Sequence, residues 1–154
     1  MDLLSMNTLG YTILSILVLL PLAGAVIVPL LPGENSVRVW TLLVTLANAV
    51  ISLPLFTRFN PTSALYQFAE HHPWIASFNV NYTLGVDGIS LLLVMMTTFI
   101  MPLCVLGSWK YIQKRVKEFM ICLLVMETSM LGVFMALDLV LFYVLWEAML
   151  IPMY

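Results

Sequence analysis

Long apolar runs alternate with short polar stretches along the chain. The apolar runs cover residues 11–31, 39–56, 89–107, 119–137 and 139–154. At a rise of about 1.5 Å per residue, a helix of roughly 20 apolar residues crosses a hydrocarbon core about 30 Å thick. The first four runs are long enough, whereas the fifth is shorter and stops at Tyr154 without a charged tail. The pattern predicts an all-α, polytopic transmembrane bundle with five spans in a single membrane domain, residues 1–154. We expect a truncated fifth helix and a longer parent protein.

The composition requires a lipid environment for this pattern. Apolar residues make up 62% of the chain and charged residues 9%, against about 45–50% and about 25% in an average soluble domain. These values exclude a soluble globule. The net charge of −2 provides no basic field for nucleic acid, so we expect the lipid bilayer, and no nucleic acid, as a partner. Cys104 and Cys122 lie inside apolar runs and form no metal or disulfide motif.

The basic residues predict an orientation, since positively charged loops resist translocation. The connection between the third and fourth spans carries four of the six, and alternation of the spans places Arg38 on the same side and Arg58 on the other. We therefore expect the N-terminus outside and the basic loops in the cytoplasm or an equivalent compartment. The four residues are Lys110, Lys114, Arg115 and Lys117.

The longest connection, residues 58–85, then lies outside. Residues 78–83 alternate between apolar and polar, which predicts a short strand on the membrane interface. His71 and His72 are interpreted as a solvated loop pair, because adjacent side chains point apart and only Glu70 is a neighbouring carboxylate. Asn81 begins a formal glycosylation motif, at which we expect no sugar.

Four carboxylates border or interrupt the later spans. Asp87 and Asp138 stand at the starts of the third and fifth spans, where a carboxylate caps free backbone N–H groups. Glu127 and Glu147 lie deep in apolar sequence with no Lys or Arg within one helical turn, at a cost of roughly 2.5–3.5 kcal/mol for an ionised group. Both are candidate proton-path residues.

Depth strengthens this interpretation, because Glu127 and Glu147 are each ten residues from Leu137, near the turn between two antiparallel spans. Both should lie near the bilayer midplane and turn towards the bundle interior, a water-filled cavity or a cationic partner. For Glu127, a protonated side chain that merely bonds a neighbouring helix is an equal alternative. For Glu147 the case is stronger, since Pro152 leaves the carbonyl of Ala148 without its helical donor. Other intramembrane polar or helix-bending residues are interpreted as packing and kink positions: Asn48, Pro21, Pro29, Pro54 and Pro102.

Two segments carry a family resemblance. The runs YTLGVDGISL, residues 82–91, and GVFMALDLVLFYVLWEAMLIPMY, residues 132–154, resemble the antiporter-like subunit M family of NADH-quinone oxidoreductase, respiratory complex I, which includes chain 4 of the mitochondrial enzyme. The resemblance extends in order over the whole chain, although family members are considerably longer. It implies the start of an inverted-repeat, antiporter-like subunit whose repeats each form half of a proton path.

The resemblance also assigns roles. Glu147 matches the family's fifth-helix glutamate, which is thought to pair with a lysine on a later helix. The resemblance implies no cofactor in this chain, with FMN, iron–sulfur clusters and quinone in partner subunits of the membrane and peripheral arms of complex I. The expected location is the bacterial inner membrane, or alternatively the mitochondrial inner membrane.

Two other functions remain open from the sequence. The chain could belong to a multisubunit cation/proton antiporter, whose large subunits resemble the same family and would use the same glutamate without a redox partner. It could instead be a purely structural helix bundle that spaces other subunits. The leading hypothesis is a proton-translocating subunit of a redox-driven NADH:quinone oxidoreductase.

Overall fold

The computed structural model describes residues 12–61, 65–75 and 80–153, which form a helix bundle with one β-hairpin. The first helix, α1, is followed directly by a short 3-10 turn, Val28–Leu30. The elements in chain order are α1 (Ile13–Ile27), α2 (Glu34–Arg58), β1 (Gln67–Ile75), β2 (Val80–Val86), α3 (Gly88–Ser108), α4 (Val116–Met135) and α5 (Leu139–Met153).

In the described part of the chain, four helical segments are long and apolar enough to cross a membrane: Ile13–Leu30, α2, α3 and α4. Each of them overlaps one of the first four apolar runs of the sequence. Helix α5 is apolar but shorter. Helix α2 begins five residues before the predicted run, because Gly33 adopts φ 79° and starts the helix at Glu34. Glu34 in the first turn and Arg58 in the last turn both interact favourably with the helix dipole. Because these residues are charged, the apolar run in the sequence does not include their turns.

Helix α4 is the centre of the bundle and packs against the other four helices. Its buried apolar side chains join two separate clusters. The hairpin-end cluster includes Leu131 of α4 with Phe68 and Leu84 of the hairpin. The loop-end cluster includes Leu124 of α4 and Val37 of α2.

A layer of buried polar side chains separates these two clusters. On each of α2, α3 and α4, the polar residue lies in sequence between a buried member of one cluster and a buried member of the other. Because all of its members are buried, this polar layer is enclosed by the bundle. Its members are Asn48 and Ser52 of α2, Thr98 of α3 and Glu127 of α4.

The hairpin corrects the sequence prediction. Strand β1 pairs antiparallel with β2, and His71 lies opposite Thr83. The predicted strand over 78–83 becomes β2, Val80–Val86, while positions 78–79 lie outside the described residues. Strand β1 was not predicted, because QFAEHHPWI contains Pro73 and lacks a regular apolar–polar alternation. His71 and His72 are therefore exposed strand residues and not loop residues, and the bundle is mostly but not entirely α-helical.

The hairpin is fastened to the turn between α4 and α5. The N–H of Leu137 donates to the carbonyl oxygen of Thr83 at 2.9 Å, and Leu84 forms an isolated bridge with Ala136. A Cβ at Gly85 would approach Leu137 Cδ1 to 2.6 Å, so a larger residue there would require the Leu137 side chain to shift. The turn lies where the sequence predicted it.

Candidate functional site

The central feature of the bundle is the carboxyl group of Glu127. Its side chain is fully buried, with 0% exposure, in the middle of α4. Asn48 Nδ2 of α2 donates a hydrogen bond to Glu127 Oε1 at 2.9 Å. Within the described residues Glu127 Oε2 has no hydrogen-bond partner. This carboxyl group is therefore held by one neutral donor.

Ser52 and Thr98 extend the polar layer along α2 and α3. Their hydroxyl oxygens lie 3.0 Å apart. Ser52 is one helical turn from Asn48 on α2. Thr128, beside Glu127 on α4, is also buried, and its Oγ1 lacks a partner in the described part of the chain. A carboxyl, an amide and three hydroxyls therefore occupy the interior at the middle of the bundle.

Glu147 lies on α5 at the same depth as Glu127. Glu127 is eight residues before the end of α4 at Met135, and Glu147 is eight residues after the start of α5 at Leu139. At about 1.5 Å per residue, both lie about 12 Å from the turn between the helices. This agrees with the shared depth expected from the sequence.

The side chain of Glu147, unlike that of Glu127, is exposed. The expectation that both carboxylates turn towards the interior is met among the described helices by Glu127 alone. The physical reason is that α5 packs mainly against α4 and β2, so most of its circumference is uncovered. Close contact with α4 occurs at Gly132, where a Cβ would lie 2.6 Å from Leu145 Cδ1.

The two aspartates at the starts of spans are helix caps, as the sequence predicted. Asp87 Oδ1 accepts from Ser90 N at 2.7 Å at the start of α3, and this bond is the main cause of the lowered pKa of Asp87. Asp138 Oδ1 accepts from Val140 N at 2.9 Å at the start of α5. Asp138 Oδ2 accepts from Asn81 N of the hairpin at 3.1 Å, which is the first cause of the lowered pKa of Asp138.

A third cap comes from a distant residue. Glu70 of β1 is 4% exposed, and its Oε1 accepts from Leu14 N at 2.8 Å. Its Oε2 accepts from Ser15 N at 3.2 Å and from the Ser15 hydroxyl. The carboxylate thus caps α1 from another element, where the local N-cap residue Thr12 forms no side-chain cap. No local signal could predict this bond, because the partners are 55 and 56 residues apart.

The sequence also left the role of Asn48 unpredicted: it was interpreted as a packing residue, and its contact with Glu127 was not expected. A signal was present: Thr41, Thr45, Asn48 and Ser52 recur at helical spacing on one face of α2, and all four have 0% exposure. A buried polar stripe on an otherwise apolar helix indicates that a polar partner faces it.

Metal ligation finds no support in the described ranges, in which no three His, Cys, Asp or Glu side chains come together. Cys104 is exposed and Cys122 half-buried, and both are free. His71 Nδ1 lies 2.9 Å from the Thr83 hydroxyl across the hairpin. The candidate functional groups are therefore the Glu127–Asn48 pair and the exposed Glu147.

Apolar spans around a buried carboxyl at mid-depth define this chain as a polytopic α-helical membrane protein with an internal polar site. A family profile described as NADH-ubiquinone oxidoreductase chain 4, amino terminus, matches residues 13–135. The chain belongs to that family, which confirms the resemblance found in the sequence.

Individual relatives agree with the family match. The chain is 45% identical to NADH-quinone oxidoreductase subunit M of Rhodobacter capsulatus over 92% of its length and 28% of that protein. It is 38% identical to NADH-ubiquinone oxidoreductase chain 4 of Marchantia polymorpha over 94% of its length and 30% of that protein. A chain of respiratory complex I from Thermus thermophilus with bound NADH is similar in fold, with a TM-score of 0.74 and 30% identity, over 90% of this chain and 27% of that one. The chain thus spans less than a third of each relative's length.

Proposed function

We propose that this chain forms part of a proton-translocating membrane subunit of a redox-driven NADH:quinone oxidoreductase. Membership in the chain 4 family supports the assignment of the chain to this complex. The observation that carries proton translocation is the Glu127 carboxyl group, fully buried between two apolar clusters. Ionisable groups at this depth cost several kcal/mol unless they are neutralised or paired, and they mark ion and proton routes in membrane proteins.

The two glutamates would act in different ways. Glu147 is exposed on a helix with an uncovered face, where a cation from another helix or subunit can approach it. Such a cation favours the carboxylate, and its withdrawal favours the protonated acid. We assign to Glu147 the role of the titrating relay, which takes up a proton when the cation leaves and releases it when the cation returns. Glu127, enclosed in the bundle, is the second carboxylate of the path.

We assign electron transfer to other subunits of the assembly. FMN, iron–sulfur clusters and quinone would be bound by partner subunits of the membrane and peripheral arms, and this chain would contribute the proton path. The location we propose is the bacterial inner membrane, or the mitochondrial inner membrane, with the N-terminus outside. The chain would count as a translocase subunit and not as the redox centre of the enzyme.

The test is Glu147→Gln in the full-length protein within its complex. Glutamine keeps the shape and most hydrogen bonding but cannot titrate, so NADH-driven proton uptake into sealed vesicles should be lost while the complex assembles. Glu147→Asp should retain part of the uptake. Glu118→Gln is the matched control, because Glu118 is an exposed carboxylate in the first turn of α4, where it pairs with Arg115. Normal proton uptake by an assembled Glu147→Gln complex would contradict the proposed function.

A further inference from the structure

Asn48 differs from the two threonines of the polar stripe on α2 in where its polar group is directed. The Thr41 hydroxyl donates to Val37 O at 2.9 Å and the Thr45 hydroxyl to Leu42 O at 3.1 Å, both within the same helix. Hydroxyls bonded in this way are common where helices pack. The Asn48 amide instead reaches across to α4 and donates to Glu127. Its polarity is therefore directed at one carboxyl group.

The atoms left unpaired in this contact indicate a missing proton. Asn48 Oδ1 and Glu127 Oε2 are both buried, and neither has a hydrogen-bond partner in the described part of the chain. With an ionised carboxylate, both atoms are acceptors, and buried unpaired acceptors are costly. A proton on Oε2 converts one of them into a donor and removes the charge. An acid and an amide can then exchange two bonds, from Nδ2–H to Oε1 and from Oε2–H to Oδ1.

No cation within the described ranges offsets a negative charge at Glu127. Helices α1 and α3, which pack against α4, contain no charged residue, and the carboxylate of α5, Glu147, is exposed. The charged residues of α2 and α4 lie in their first two turns or last turn, several turns from the polar layer. They are Glu34, Arg38, Arg58, Lys117 and Glu118.

We propose that Asn48 is the positioning residue of a proton-holding site, in which Glu127 is a neutral carboxylic acid paired with the Asn48 amide. The pair stores one proton in the middle of the bundle, between the apolar clusters. The Glu127 carboxyl group carries the proton, and Asn48 fixes the orientation of its two oxygens. The use of this stored proton in pumping rests on the proposed function, whereas the protonation of Glu127 does not.

The experiment measures the carbonyl stretching band of protonated carboxyl groups by infrared spectroscopy at neutral pH, on the complete complex with the full-length protein. The wild-type spectrum minus the Glu127→Gln spectrum should contain a carboxylic acid band. In Asn48→Leu this band should shift to higher wavenumber, because the acid carbonyl loses the Nδ2–H bond. Asn48→Ser, a smaller change suited to helix interfaces, should give the same shift, and Asn48→Gln should restore part of the original position. Thr41→Val is the matched control and should leave the band in place.

Two results would overturn the inference. One is the absence of a Glu127-dependent acid band, since Glu127 would then be ionised. The other is a band at the wild-type position in both Asn48→Leu and Asn48→Ser, since Asn48 would then not position the acid. Proton uptake measured on the same preparations separates this inference from the proposed function. A Glu147→Gln complex that pumps normally contradicts the function and leaves the band shift intact, whereas an unshifted band in a complex whose pumping requires Glu147 contradicts only the inference.

Discussion

The acidic residues of this chain show how one side-chain type serves two purposes according to its donors. Asp87, Asp138 and Glu70 each accept backbone N–H groups at helix N-termini, where the first turn has donors without partners inside the helix. Glu127 lies in the middle of a helix, where backbone donors are already used, and has a side-chain amide instead. Position along the helix therefore distinguishes the helix-capping carboxylates from Glu127, the candidate proton-path residue.

At Glu127, we predict that Glu127→Gln retains a measurable fraction of NADH-driven proton uptake. A glutamine amide resembles the neutral acid in shape and keeps an acceptor for Asn48 Nδ2, so the polar layer stays paired. Proton uptake into sealed vesicles, normalised to the amount of assembled complex on a native gel, measures the effect. Complete loss in an assembled complex would show that Glu127 is as essential as Glu147.

At Asp87, we predict that Asp87→Ala lowers the free energy of unfolding by about 1 kcal/mol, as for a typical N-cap, while Asp87→Asn retains most of it. The pKa of Asp87 is lowered in the folded protein, so the charge-dependent part of the cap is fully present above the ordinary aspartate pKa, near 4, and is lost as the pH falls through the folded-state value. Thermal unfolding of the purified protein in detergent, compared with both variants, measures this. A more stable alanine variant would contradict the cap.

At the scale of elements, the hairpin joins helices that are far apart in sequence. Glu70 of β1 binds the first turn of α1, and Asn81 of β2 donates to Asp138 at the start of α5. Strand β2 also bonds the turn after α4 through Thr83. The hairpin thus fixes the ends of three helices on one side of the bundle.

We predict that Glu70→Ala destabilises the protein by about 2–3 kcal/mol, because it leaves buried backbone donors of α1 unpaired and charge-assisted bonds are among the stronger ones. Glu70→Gln should cost less, since it keeps an acceptor. Glu34→Ala, an exposed position in the first turn of α2, is the control and should change stability by no more than about 0.5 kcal/mol. Hydrogen exchange at Leu14 and Ser15, which should accelerate in Glu70→Ala, localises the effect; unchanged exchange would contradict the cap.

The helices could be predicted from the sequence because lipid imposes a length and a composition on each span, and the caps at Asp87 and Asp138 because their donors are local. Strand β1 was missed because its pairing with β2 compensates for an unfavourable sequence that includes Pro73. Glu70 and Asn48 were missed as functional contacts because their partners, α1 and Glu127, are distant in sequence. The apolar sequence around Glu127 indicates that an ionised side chain there is energetically costly. Only the packing of α2 against α4 shows that Asn48 binds it.

For the whole molecule, the described basic residues gather mainly at one end of the bundle. The Arg38 guanidinium donates to Ile112 O at 2.7 Å, and Lys117 Nζ lies 3.5 Å from Pro29 O. The connections before α2 and before α4 are therefore neighbours, at the end opposite the hairpin. This arrangement brings together the loops that the positive charge bias assigns to one compartment.

We predict that the loop before α4 faces the cytoplasm or its equivalent. In Gln113→Cys, with Cys104 and Cys122 replaced by serine, a membrane-impermeant thiol reagent should label the protein only after the cells are opened. Cysteine in place of the exposed His72 of the hairpin is the matched site on the other side and should be labelled in intact cells. The reverse pattern would invert the orientation.

The depth of the polar layer also has an electrical consequence. Glu127 lies eight residues from one end of α4 and eleven from the other, so a proton that reaches it from either surface has crossed roughly half of the low-dielectric thickness. A full crossing is worth about 2.3 kcal/mol for each 100 mV of membrane potential, so occupancy of the site carries about half of that. The ratio of protonated to ionised Glu127 would then change several-fold when a 100 mV potential is applied or collapsed, without any change in bulk pH.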